Sequence, residues 1–145
     1  MNRTLLVALL GVLLASCEGA DRSLISSSVA LGTKPFVLVP DRPLATPAHI
    51  NQLCVAVPPE YHTDIDSMTL RSDSGADIRL SATLIDTNGG SHSFTHQSFL
   101  FSQRHYVCLS PESPEKPGVR YREVSISSSA PLRTEEIRWI STDKL

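Results

Sequence analysis

Aromatic side chains are scarce in this chain: one Trp, three Tyr and four Phe. With so few rings, each is a candidate for core duty before it is a candidate for stacking a ligand. There are three cysteines, and none forms a C-x-x-C pair, which argues against a zinc ribbon or a dithiol redox centre. No apolar run reaches the roughly 20 residues that a membrane-spanning helix needs. Neither sign of charge dominates, with 13 Lys and Arg against 15 Asp and Glu, so nucleic acid is not an expected partner. The chain also lacks a helical apolar stripe, an internal repeat, a G-x-S-x-G elbow and a phosphate-binding glycine loop.

What is present begins at the N-terminus. Arg3 precedes an apolar run from Leu5 to Ala15, and polar residues begin at Ser16. A positive start followed by about 7–15 apolar residues is the pattern of an export signal rather than a membrane span. Leu14-Ala15-Ser16-Cys17 then supplies an apolar residue, two small ones and a cysteine. These residues resemble the lipobox of bacterial lipoproteins at every position. The resemblance implies that Cys17 receives a diacylglycerol on its thiol, that cleavage precedes it, and that its freed amine is acylated. Several acyl chains hold a protein to a bilayer far more firmly than one. In that family an Asp after the cysteine favours retention at the inner membrane. Glu18 stands there instead, which implies the periplasmic face of the outer membrane. The competing reading is an ordinary export signal with a chance cysteine.

Cleavage before Cys17 removes Arg3 and leaves 12 basic residues against 15 acidic ones in a 129-residue remainder, enough for one domain. Residues 17–33, rich in Ser, Gly and Ala, read as a lipidated cysteine and flexible tether, and residues 34–145 as the folded domain. With Cys17 assigned to lipid, Cys54 and Cys108 remain, and in an oxidising compartment they are expected to form one disulfide.

From Asn51 onward the apolar period is two almost everywhere, and one short apolar run precedes it. Phe36-Val37-Leu38-Val39, bounded by Pro35 and Pro40, predicts an edge strand. Leu53, Val55 and Val57 alternate with Cys54 and Ala56, a strand buried on one or both faces. Ile78, Leu80, Ala82 and Leu84 alternate with polar residues, then Thr87-Asn88-Gly89-Gly90 marks a hairpin. Matching apolar to apolar favours a three-residue loop, Asn88 to Gly90, with Gly90 left-handed and Leu84 opposite Phe94. That register turns His96 inward beside Ala82. Phe94 and Phe99 differ in parity, so a bulge is expected near Gln97-Ser98. Ile137 and Trp139 should face the core, with Glu136 and Arg138 on the other side. About eight strands with turns between them predict an all-β antiparallel β-sandwich, jelly-roll or immunoglobulin-like, closed by one disulfide.

Catalytic chemistry finds no foothold. His92 and His96 lie four apart, which on a strand is roughly 13 Å and too far to share a metal ion. Asp86 to Gly90 superficially resembles the start of a calcium loop, but Gly90 and Gln97 stand where ligands belong. Glu135 and Glu136 are adjacent and on a strand face opposite ways. No catalytic set, metal site or cofactor is expected. Tyr61, Tyr121, Arg120 and Arg122 are the candidates for a binding surface, with Arg138 and Glu136 as a possible charge ladder beside the arginines. The expected function is a lipid-anchored, non-catalytic envelope module that binds a protein or glycan. Two alternatives stand beside it: an inhibitor or immunity lipoprotein acting against a lysozyme or toxic effector, with Ser72-Asp73-Ser74-Gly75 as an inhibitory tip, and a structural part of an envelope secretion complex.

Overall fold

The computed structural model describes residues 20–144; the expected signal and Cys17 lie outside the described residues. The chain is all-β and antiparallel. Its strands are, in order, β1 (Ala20–Ser23), β2 (Val29–Leu31), β3 (Phe36–Leu38), β4 (Leu44–Ala45), β5 (Ile50–Val57), β6 (His62–Asp64) and β7 (Thr69–Arg71). Then follow β8 (Asp77–Ile78), β9 (Leu80–Asp86), β10 (Ser91–Phe101), β11 (His105–Pro111), β12 (Arg120–Ser128), β13 (Leu132–Thr134) and β14 (Ile137–Thr142). Fourteen strands rather than about eight appear because β1, β2, β4, β6 and β13 lie in segments read as tether, loop or turn, and the strand expected from Ile78 to Leu84 is divided into β8 and β9.

Nine strands form one sheet that curls into a half-barrel, ordered β1-β14-β5-β11-β10-β9-β12-β3, with β4 also on β12. Leu53, Val55, Phe94, Val107, Tyr121, Val124, Ile126, Ile137 and Trp139 line its concave face and are fully buried. Two small sheets, β13-β2 and β6-β7-β8, contribute Leu132, Leu31, Leu70 and Ile78 to the same core. The apolar layer is therefore held between the large sheet and the small ones. Trp139 sits at its centre, donating its indole N–H to the Ala45 carbonyl at 2.8 Å.

The cysteines meet as expected: Cys54 and Cys108 are directly opposite on β5 and β11 and form a disulfide. The bridge lies on the convex face, where Ala56, Tyr106, Leu100 and Ile140 make a second small apolar cluster. Strand β5 is thus buried on both faces, which accounts for its unbroken apolar run.

Three expectations are corrected. Within the segment read as a tether, residues 20–23 and 29–31 are strand: β1 pairs along β14 and β2 along β13, and Leu31 is buried. β1 reads Ala-Asp-Arg-Ser, half-buried at alternate residues without an apolar period, and β2 is only three residues long. The hairpin has a three-residue loop, but it is Thr87 to Gly89, with Ile85 opposite Ser91 and Phe94 opposite Ala82. Gly89, not Gly90, takes the left-handed conformation, at φ 87°. The Asp86 carboxylate accepts from the Asn88 and Gly90 amides at 2.8 and 2.9 Å, which sets the turn one residue earlier. His96 is exposed, and the bulge falls between Phe94 and His96 rather than at Gln97-Ser98. The bulge still does what the parity change required: Phe94 and Phe99 both pack on the concave core.

Candidate functional site

Antiparallel pairing gives the half-barrel two ends. At one, β1, β5, β10 and β12 begin, and β14, β11 and β9 finish; at the other, the directions reverse. The second end carries a groove of about 810 Å³. Pro58-Pro59 stops β5, and the Tyr61 amide donates to the Pro58 carbonyl at 3.1 Å, turning the chain so that Tyr61 and His62 form one wall. The tight turn after β10, closed by Ser102 N–H to the Arg104 carbonyl at 3.1 Å, presents Gln103, Arg104 and His105 as the opposite wall. Arg133 and Glu135, flanking the end of β13, complete it. Thr134 between them is buried and donates to the Ala56 carbonyl at 2.7 Å, which ties that segment to the sheet.

The groove mixes both signs of charge with aromatic surface. Arg104 lies 3.5 Å from Glu135 and 3.6 Å from Glu136, and Arg133 donates to Ser28 at 2.9 Å. His62 faces Asp73 at 3.4 Å, bringing the β7–β8 turn to the rim. The Phe101 ring stands edge-on to His105 at 4.9 Å and is 46% exposed, giving the groove an apolar lip. Ile65 and Met68, on the turn that leaves β6, are also exposed. Among the described residues no three His, Cys, Asp or Glu side chains converge as a metal site would need. Such an arrangement can hold a partner by aromatic contact and directed hydrogen bonds.

Of the four residues offered from sequence as a binding surface, Tyr61 alone lies in this groove. Arg120 and Arg122 are exposed but at the opposite end of the half-barrel, where β12 begins. Tyr121 is no binding residue: it is fully buried, edge-on to His92, Phe94 and Trp139 at 5.2, 5.7 and 5.7 Å. Its parity places it with Val124 and Ile126 only because β12 is irregular between Tyr121 and Glu123, an irregularity invisible in the local sequence. The charge ladder is likewise redrawn: Arg138 grips Asp21 at 2.6 and 2.9 Å and Glu136 at 3.2 Å, while Arg120 and Arg122 stand several strands away on β12.

Around Tyr121 lies a second polar cluster. Its hydroxyl donates to Glu115, and His92 Nε2 meets the Asp86 carboxylate at 2.7 Å. Burial raises Glu115 above the ordinary carboxylate range, opposed by hydrogen bonds from Tyr121 and Asn51 and by the nearby His92. Burial also raises the Tyr121 phenol, keeping it a donor. Asp86 is held low by its hydrogen bonds from His92 and the Gly90 amide. The cluster is a latch: it ties the proline-rich loop after β11 to the end of the half-barrel.

His62, Arg104, His105 and Arg133 were missed from sequence. A signal existed: a Cys54–Cys108 cross-strand pair puts Val57 opposite His105, and so sets Pro58 to Tyr61 beside that histidine. No family model, curated protein or solved structure matches the chain.

Proposed function

We propose that this chain is a lipid-anchored, non-catalytic binding module of the bacterial envelope, held through Cys17 at the periplasmic face of the outer membrane, and that it takes a protein partner in the groove. The observation that carries the reading is the groove itself, walled by Tyr61, His62, Arg104, His105 and Arg133 with Phe101 at its lip. Tyr and Arg are the residue types that dominate protein interfaces, and an exposed apolar rim beside them suits a protein surface better than a sugar chain. The lipobox resemblance supplies the address, and the all-β domain with its disulfide suits an oxidising compartment.

Photo-crosslinking amino acids at Tyr61 and Arg133 test this in cells, with Val39, 74% exposed just past the edge strand β3, as control. A discrete, protease-sensitive adduct at the groove positions and not at Val39 is expected. An adduct removed by glycan hydrolases instead makes the partner a glycan. No adduct, or the same adducts at Val39, sinks the reading. The inhibitor alternative draws on the β7–β8 turn, which is exposed and closed by Ser72 N–H to the Ala76 carbonyl at 3.0 Å. It requires that the soluble domain slow a lysozyme or effector in a purified assay, and that Asp73→Ala weaken the effect.

A further inference from the structure

If Cys17 carries the lipid, only Glu18 and Gly19 separate the anchor from β1, which starts at Ala20. Three residue steps reach at most about 11 Å even fully extended. Nor can β1 serve as slack. It is paired residue by residue with β14, from Ala20 opposite Ser141 to Ser23 opposite Arg138. Asp21 holds the Arg138 guanidinium by two hydrogen bonds, Arg22 is paired with Asp41, and the Leu24 amide donates to the Ile137 carbonyl at 2.7 Å.

The anchor therefore meets the half-barrel at one end and not the other. That end carries the β9–β10 turn, the proline-rich loop with Lys116, the start of β12 with Arg120 and Arg122, and the end of β14. Among its acids, Asp86 faces His92 and Asp143 faces His49, both at 2.7 Å, Glu112 accepts from the Thr95 hydroxyl at 2.6 Å, Glu115 accepts from Tyr121, and Asp21 and Asp41 are paired with Arg138 and Arg22. Lys116, Arg120 and Arg122 are exposed and, among the described residues, enter no ion pair.

We infer that this end of the half-barrel rests on the bilayer, with Lys116, Arg120 and Arg122 toward anionic headgroups, and that the groove points away from the membrane. The inference rests on the lipobox reading of Cys17. Basic side chains within about 10 Å of an anionic surface still feel an appreciable part of its potential, which salt screens beyond that distance. The eight residues of β5 separate the two ends, so the groove stands roughly 25 Å further out, at about 3.3 Å per residue. The surface that sequence offered for a partner, Arg120 and Arg122, is assigned here to lipid.

The test uses the full lipidated chain in vesicles of phosphatidylethanolamine and phosphatidylglycerol bearing a headgroup nitroxide quencher. Cys54 and Cys108 are bridged, so an introduced cysteine is the thiol that takes the fluorophore. Lys116→Cys, and independently Asn88→Cys on the β9–β10 turn, should be quenched several-fold more than Gln103→Cys in the groove. Equal or reversed quenching in protein that floats with the vesicles overturns the inference alone. Protein that fails to float, behaving as Cys17→Ser does, overturns the lipobox reading and the inference with it. Inserting a long Gly/Ser linker between Gly19 and Ala20 should keep flotation and sharply reduce the difference; an undiminished difference overturns the short-anchor argument.

Discussion

Glu115 reaches Tyr121 from a loop with three prolines nearby, and its half-buried position there takes part of the water from the carboxyl group. Desolvation raises its pKa from the ordinary 4.5, against the pull of the Tyr121 and Asn51 hydrogen bonds. A carboxyl that binds its proton more tightly folded than unfolded stabilises the fold at low pH. That contribution is lost as pH climbs from the ordinary value through the raised one. Asp86, Asp64 and Asp143 act in the opposite sense, each held below the ordinary 3.8 by hydrogen bonds, so their contributions fade as pH falls beneath that value. The two windows do not overlap. Glu115→Gln keeps an acceptor for the Tyr121 hydroxyl and cannot ionise. Urea denaturation of wild type should therefore show a decline in stability as pH is raised from about 4 to about 7 that the variant lacks. Parallel pH curves for the two proteins would place Glu115 in water.

At the scale of elements, the β9–β10 hairpin shows what alternation reads and what it misses. The face was legible: Ala82, Leu84 and Phe94 share the concave side. The register was off by two residues, because side-chain chemistry in the turn outweighs apolar-to-apolar matching. Asp86 captures the Asn88 and Gly90 amides and His92, and the closing pair becomes Asp86 with Gly90. The two glycines then do different jobs. Gly89 needs its positive φ, and a side chain at Gly90 would put its Cβ 2.5 Å from an Asp86 oxygen. Gly89→Ala forces a Cβ into the left-handed region and should cost about 1–2 kcal/mol in urea denaturation. A cost near zero would mean that the turn relaxes to another type. The bulge after Phe94 belongs to the same lesson: its existence follows from the parity of the phenylalanines, its position from packing.

At the scale of the molecule, the Cys54–Cys108 bridge joins neighbours across β5 and β11 and spans 54 residues of sequence. Loop-closure entropy then predicts that Cys54→Ala with Cys108→Ala lowers stability by about 4 kcal/mol, measured by urea denaturation. An unchanged midpoint would mean that the reduced chain is already constrained in its unfolded state. The bridge also lies between the two ends of the half-barrel, the latch and basic side chains at one and the groove at the other. Strand order creates that polarity: β14, the last strand, returns to lie between β1 and β5, so the start of the described chain is clamped into the sheet.

By itself the sequence determined the antiparallel all-β class, the cysteine pairing and the inward faces of β5, β9 and β14. Each of these follows from parity or from counting, and parity survives local errors of register. Only the tertiary structure decided that residues 20–23 and 29–31 are strand and that Tyr121 is buried. It alone drew Tyr61 together with His62, His105 and Arg133. Those outcomes depend on which strands lie side by side and at which end each loop emerges. Period-two alternation carries no record of either, since it says which way a side chain faces and nothing about its neighbour across the sheet.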